Sequence, residues 1–177
     1  MTAPAQGPRC KIVIPVYRPL GEAELGLIAH NVSTLGAYPA VLIGGQGQAD
    51  LLNDVQSSLF DLSGQCVLVE LFDDQYFDGV AGYNRLLTEP GFYERFADVP
   101  CVLICQHDAI ILRSDLDSWL DRGYAFVGAP MFVGYSEPVR PLKFLKTLNG
   151  GLSLRHIPSA LRVFRNTRFL QRTKLVR

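Results

Sequence analysis

The 177-residue sequence predicts an α/β domain with a mostly parallel central sheet and helices on both faces. Short apolar runs alternate with stretches of helical periodicity between Lys11 and Leu71, the pattern of β-α-β-α-β units. The runs are apolar throughout, as befits strands buried on both faces. Polar, glycine or proline residues close them at the end where ligands bind in such sheets.

Lys11 to Val16, bounded by Pro15 and Pro19, reads as a buried first strand leading into a loop. Leu25, Ile28, Val32 and Leu35 fall at helical spacing, with Glu22 and Glu24 in the first turn, where the helix dipole favours anions. Val41 to Ile43 is a second strand closed by Gly44 and Gly45, and Leu51, Leu52, Val55, Leu59 and Leu62 mark a second amphipathic helix. Val67 to Leu71 is a third strand. An Asp- and Gly-rich loop spans Asp73 to Gly82, and a helix follows over Tyr83 to Leu87.

Cys101 to Cys105 is a fourth strand, with a further strand-like run at Ile110 to Leu112. Leu116, Trp119 and Leu120 predict a short helix, Ala125 to Val127 a short strand, and Val133 to Lys146 a Pro-containing loop. Gly151 to Leu154 is a last strand, and Pro158 opens a helix at its favoured first position. Residues 1–10 are expected as a flexible N-terminus and residues 11–177 as one domain, a size that supports a substantial core.

No apolar run approaches the ~20 residues of a membrane span, and the N-terminus lacks the charged and apolar regions of a secretory signal, so a soluble cytoplasmic protein is expected. Cys66, Cys101 and Cys105 sit in strand-like runs as expected buried thiols. Cys101 and Cys105 share a strand face, but without a second pair they give a weak zinc pattern. Net charge is zero, yet 17 acidic and 7 basic residues precede position 138, and 10 basic residues and no acidic one follow it. That basic tail, with Arg162, Arg165, Arg168, Arg172, Lys174 and Arg177, suits either an anionic surface such as phosphate or membrane, or an acidic segment beyond the sequence that would cover it.

Gln106-His107-Asp108 closes a strand that is otherwise wholly apolar. On an extended chain Gln106 and Asp108 point the same way, towards a common ligand, and His107 faces elsewhere. A carboxylate in such a place needs a partner, and a divalent ion bridging phosphate oxygens meets the need. Asp108 capping the next turn, or pairing with Arg113, meets it equally well.

Tyr83-Asn84-Arg85-Leu86-Leu87, Phe92-Tyr93-Glu94, Val102 through Asp108, Val127-Gly128-Ala129-Pro130 and Asn149-Gly150-Gly151-Leu152-Ser153-Leu154-Arg155 occur in that order. Together, over Lys11 to Val163, they resemble a glycosyltransferase-like domain family of unknown function marked by Gln-x-Asp and Asn-Gly-Gly-x-Ser-Leu-Arg. That family is similar to the GT-A, Rossmann-like glycosyltransferases. The resemblance implies a UDP- or GDP-sugar donor, a glycan or other hydroxyl acceptor, no nucleic acid partner, and Mn2+ or Mg2+. It places Asp108 at the metal and diphosphate, Gln106 at the ribose, and Pro15, Val16 and Tyr17 around the nucleobase and ribose.

Asp78, Gly79, Gly82, Tyr83 and Asn84 then approach the donor diphosphate and sugar, and Asn149, Gly150 and Gly151 form an acceptor-side turn. Taken alone, the Asp78–Gly82 stretch equally reads as a turn and helix cap, and Asn149–Gly151 as a tight β-turn. Gln106 replaces the first acid of the usual Asp-x-Asp, and a Gln amide is a poor ligand for divalent ions. Members of the family carry a Glu-Asp pair after the Asn-Gly-Gly motif, and no acid follows Glu137 here. The expectation is therefore a C-terminal part incomplete for the fold, with no general base, and either a metal-assisted glycosyltransferase or a non-catalytic nucleotide- or carbohydrate-binding module. His30 and His156 are expected to be structural or surface residues.

Overall fold

The computed structural model describes residues 7–134, 137 and 139–174. Six strands form one sheet in the order β3-β2-β1-β4-β6-β5. β1 (Cys10–Pro15), β2 (Ala40–Gly45), β3 (Leu68–Phe72) and β4 (Cys101–Cys105) are mutually parallel. β6 (Phe144–His156) runs antiparallel to β4, and β5 (Phe126–Phe132) antiparallel to β6. The chain winds outward from β1 through β2 to β3, then returns to the other side of β1 as β4. The reversal opens a crevice at the C-terminal ends of β1 and β4, the usual ligand position in such sheets.

α1 (Glu22–Thr34) and α2 (Ala49–Ser63) cover one face, where Ile12, Ile14, Leu42 and Leu103 meet Ile28, Val32, Leu52 and Leu59. α3 (Gly79–Leu86), α4 (Pro90–Glu94) and α6 (Ile157–Lys174) flank the other face, where Val13, Ile43, Val102 and Ile104 pack on Leu86, Phe92, Tyr93 and Phe96, while the short α5 (Leu116–Leu120) packs on the first core. Successive residues of each central strand feed opposite cores, which is why the strands are apolar throughout. Full burial of a side chain such as Ile12 or Leu42 contributes roughly 1.5–3 kcal/mol. The mostly parallel sheet with helices on both faces is as the sequence predicts. Among the described residues no helix is long and apolar enough to cross a membrane.

Several local expectations change. Cys10 opens β1 opposite Cys101, and Arg9 is tied to Asp117 at 3.1 Å and Asp121 at 2.6 Å, so the tail expected over residues 1–10 is anchored at its end; residues 1–6 lie outside the described residues. Cys66 is exposed, preceding β3, whereas Cys10, Cys101 and Cys105 are buried free thiols. Burial pushes the Cys10 thiol up to about 12 and that of Cys105 to about 11.

The third helix begins at Gly79, four residues before the expected Tyr83, because Gly79 adopts φ +70°, which turns the chain into the helix inside the Asp/Gly loop. Ile110 to Leu112 is no strand. Its backbone is held by side chains of α1: Asn31 Oδ1 accepts from Ile111 N–H at 2.7 Å, and a His30 ring nitrogen lies 2.9 Å from the Ile111 carbonyl. The loop expected over 133–146 gives way to strand at Phe144, and β5 extends to Phe132 against it.

Candidate functional site

The β1 end contributes little apart from Tyr17. Pro15 and Val16 are buried, Val16 in the core, and only Tyr17, 41% exposed, faces the crevice. Its loop is braced from β2, where Gln48 Nε2 donates to the Tyr17 carbonyl at 2.8 Å and Gln48 Oε1 accepts from Gly45 N–H at 2.9 Å.

β4 ends at Cys105, and the chain turns, Ala109 N–H donating to the Gln106 carbonyl at 3.0 Å. The three polar residues diverge. Gln106 lies half-buried over β6, its N–H donating to the Gly151 carbonyl at 2.8 Å. Asp108 is exposed and makes no hydrogen bond or ion pair among the described residues; Arg113 pairs with Asp115 at 3.4 Å.

His107 turns inward to α1 and the β1 loop, with Nε2 3.0 Å from Arg18 Nη2 and 3.2 Å from Glu24 Oε1. Both contacts fall on Nε2, and buried Nδ1 has no partner among the described residues. The Tyr17 ring meets the His107 ring edge-on at 5.6 Å. Arg18, bound to Glu24 through both carboxylate oxygens, and the Gly21 N–H hold the Glu24 carboxyl at about 2. His107 thus fixes the Tyr17–Arg18 loop against the end of β4.

α3 closes the crevice. Tyr17, Phe77, Gly79, Val80, Tyr83, Asn84 and Gln106 line one cavity of about 190 Å3. The Tyr83 hydroxyl is buried with no hydrogen-bond partner among the described residues. Burial pushes its phenol well above the ordinary value, Arg155 and Gln106 opposing the shift, so it stays protonated at neutral pH. Asp78 and Asn84 are exposed, Asn84 at the cavity and Asp78 just before α3. Gly82 is buried and packs on the chain itself: a Cβ there would stand 2.5 Å from the Gln75 carbonyl.

The Asn149-Gly150-Gly151 segment lies within β6, next to Gln106, as an irregular strand facing Gly128 and Ala129 of β5. Asn149 Oδ1 accepts from Gly151 N–H at 2.8 Å, and a Cβ on Gly151 would collide with the Gln106 side-chain oxygen. Beneath it, Arg155 is 7% exposed. It donates from Nε to Ser153 Oγ at 3.1 Å and from Nη1 to the Tyr93 hydroxyl at 2.9 Å and the Leu87 carbonyl at 3.4 Å. Ser153 donates in turn to the Gly150 carbonyl at 2.9 Å. Arg155 and Tyr93 are not among the expected site residues; only their place in the resembling motifs marked them.

Residues 67–176 match a family described as "Protein of unknown function (DUF5672)". The chain belongs to the DUF5672 family. The match takes in α3, β4 and the Asn149–Arg155 segment but begins at Val67, so Pro15, Val16 and Tyr17 fall outside it, unlike the span from Lys11 that the resemblance suggested. No curated protein matches the sequence. Among solved structures, the chain is similar to 4-diphosphocytidyl-2C-methyl-D-erythritol synthase from Anaerococcus prevotii, with TM-score 0.51, 10% identity, and 92% of this chain and 77% of that chain covered. At that identity the likeness concerns the fold.

Five expected site residues of this DUF5672 chain, Tyr17, Gly79, Tyr83, Asn84 and Gln106, therefore meet at one cavity, with Gly151 behind Gln106. Among the described residues no group of three or more His, Cys, Asp or Glu side chains is placed to hold a metal ion. Asp108 is one accessible carboxylate, a donor set that fits Mg2+ or Mn2+ only where ligand phosphates and water complete the shell. Asn31, also missed by the sequence reading, braces this segment: its Nδ2 donates to the Ala109 carbonyl at 2.7 Å while Oδ1 holds Ile111. It lies in α1 next to the apolar Ile28 and Val32, and its contacts are 78 and 80 residues away.

Proposed function

We propose that this chain binds a nucleotide-diphosphate sugar in the crevice between β1, β4 and α3 and transfers the sugar to a hydroxyl acceptor. The observation that carries the reading is the convergence of Tyr17, Tyr83, Asn84 and Gln106, from three separate segments, on one cavity beside a buried phenol that lacks a partner. The cavity is smaller than the ~300–1,000 Å3 of whole-ligand pockets, so it suits a base and part of the ribose. The diphosphate and sugar would lie outside it, between Asn84, Asp108 and the Asn149–Gly151 segment.

In this reading the Tyr17 ring packs on the base, and the Gln106 amide and Tyr83 hydroxyl bond the nucleoside. Asn84 contacts the diphosphate or sugar. Asp108 holds a divalent ion together with the phosphates, and that ion supplies charge stabilisation to the leaving diphosphate. The acceptor lies along Asn149, Gly150 and Gly151, where two glycines leave the backbone bare. The fold neighbour's name, a synthase of a diphosphocytidyl compound, accords with nucleotide chemistry on this fold.

A second reading, a binding module without turnover, is favoured by a cavity that no carboxylate lines among the described residues. A general base contributes about 10²–10⁴-fold to a proton transfer. The test is calorimetric titration with UDP and GDP, with and without Mn2+, repeated on Asp108→Ala. Metal-dependent binding lost in the variant is expected. Binding of neither nucleotide, or binding indifferent to Asp108, overturns the donor site; donor binding without transfer or hydrolysis selects the binding module.

A further inference from the structure

β6 is 13 residues long, but β4 pairs only with its second half, Leu152 to His156. Because β6 is antiparallel to β4, residues 144–151 run on past the C-terminal end of β4, on the crevice side of the sheet. Apart from the Gln106 N–H on the Gly151 carbonyl, among the described residues they pair with β5, as Pro130 with Leu148 and Phe132 with Phe144. At ~3.3 Å per residue this arm reaches roughly 20 Å beyond β4.

Every described residue from Val139 to Leu148 is exposed. The apolar ones are large: Val139 56%, Leu142 51%, Phe144 65%, Leu145 44% and Leu148 48% exposed. A free surface rarely concentrates so much apolar area in ten residues. Interleaved with them are Arg140, Lys143 and Lys146, none of which pairs with a carboxylate among the described residues. Several cations elsewhere are tied to carboxylates, Arg9 to Asp117 and Asp121, Lys11 to Asp98, Arg95 to Glu70 and Arg165 to Glu94.

We propose that the β5–β6 arm docks the protein on an anionic lipid bilayer. The charge pattern selects that occupant. Large apolar side chains interleaved with cations over residues 139–148 match the headgroup boundary, where apolar groups enter the acyl region and lysine or arginine stems reach back to phosphate. A nucleic acid would leave Leu142, Leu145 and Leu148 without a role. A purely apolar protein face would leave three cations unpaired. The β5–β6 ladder satisfies much of the backbone, so the arm lies at the interface without crossing it.

The arm also sets the site's position. Phe144 to Leu148 lead directly into Asn149-Gly150-Gly151, so docking holds the acceptor side of the crevice at headgroup height. On the transferase reading above, and only on it, the acceptor is a hydroxyl presented at the membrane surface. Docking itself stands apart from that reading.

The test is flotation of the purified chain with vesicles of phosphatidylcholine alone and with 30% phosphatidylglycerol or phosphatidylserine, at low and at physiological salt. Each cation near an anionic surface multiplies the partition coefficient about fivefold, so binding at least tenfold stronger to anionic vesicles is expected. Lys143→Glu with Lys146→Glu lowers it 25-fold or more. Phe144→Ser with Leu145→Ser lowers it comparably at unchanged melting temperature, since both side chains are exposed. Arg162→Glu, on α6 and away from the arm, changes it less than twofold.

Leu145→Trp adds a direct readout, a blue-shifted emission on vesicle addition. Equal binding to neutral and anionic vesicles, or binding indifferent to the arm variants, overturns the proposal. So does a dimer in sedimentation that the serine variant dissolves, since a second copy then covers the arm. Nucleotide titration of the same variants separates the two readings: vesicle binding without nucleotide binding sinks the donor site and leaves docking intact.

Discussion

Gly151 accepts a hydrogen bond from the Gln106 backbone at 2.8 Å, and the Gln106 side-chain oxygen occupies the space that a Cβ at residue 151 would fill. The glycine thereby sets where the Gln106 amide points. Gly151→Ala is expected to push that amide out of the cavity and lower nucleotide affinity about tenfold, equivalent to ~1.4 kcal/mol. The flexible Gln side chain can yield, so the thermal midpoint should move little. Titration and melting on the same sample check both parts.

Tyr83 tests the cavity from its other wall. Its hydroxyl is buried, with no partner in hydrogen-bond geometry among the described residues and Gln106 nearby, so Tyr83→Phe removes a poorly satisfied polar group. A neutral or slightly raised stability is expected, because a buried group without a partner costs about 1–3 kcal/mol. If ligand supplies that partner, nucleotide binding weakens by about five- to tenfold in the same variant. Lower stability with unchanged binding would show that the hydroxyl serves the fold.

Arg155 is the buried cation of the Asn-Gly-Gly-x-Ser-Leu-Arg segment, satisfied by Ser153, Tyr93 and the Leu87 carbonyl, with no carboxylate in ion-pair range among the described residues. It joins β6 to α4, through Tyr93, and to the turn between α3 and α4, through Leu87. Arg155→Met keeps most of the volume but removes the donors to Ser153 Oγ and the Tyr93 hydroxyl, while the Leu87 carbonyl keeps the Tyr93 O–H, and a loss of about 2–3 kcal/mol is expected in urea unfolding. A change below ~0.5 kcal/mol would mean that the network relaxes without the charge.

Glu24 carries a pH signature. Its carboxyl is held at about 2 against an ordinary 4.5, first by Arg18, then by the Gly21 N–H, with smaller help from His107. A depressed carboxylate stabilises the fold fully above the unfolded value and loses that contribution as pH falls through the folded one. The difference in thermal midpoint between wild type and Glu24→Gln should therefore be constant above about pH 5 and shrink between pH 4.5 and 2. Added salt should reduce it, since the pair is partly exposed.

The sheet was legible because its central strands are buried on both faces, and an unbroken apolar run such as Cys101–Cys105 leaves few other readings. The β1–α1–β2–α2–β3 order followed from periodicity alone. Ile110 to Leu112 misled because a run's composition does not say whether a strand partner exists; His30 and Asn31 supply its bonds instead. The start of β6 was read as loop because Pro141 and Lys143 precede it, Lys146 interrupts it, and among the described residues that stretch pairs with β5 and not with β4. At the site, Tyr83, Asn84 and Gln106 were found through ordered motifs, whereas Gly82 lay in the same motif yet serves packing. A motif marks which residues matter without saying which way each one faces.

Asn31 offers the sharpest separation of fold from site. Buried in α1 at 1% exposure, it donates to the Ala109 carbonyl at 2.7 Å and accepts from the Ile111 N–H at 2.7 Å, clamping the chain on the far side of Asp108. Asn31→Ala orphans a buried donor and acceptor, so a loss of about 2–4 kcal/mol is expected. Asn31→Asp can still accept from Ile111 but cannot donate to Ala109, and should fall between the two. If the clamp positions Asp108, both variants weaken the Mn2+-dependent part of nucleotide binding more than the metal-free part. Equal weakening with and without metal would make Asn31 a fold residue alone, and an Asn31→Ala protein as stable as wild type would remove the clamp altogether.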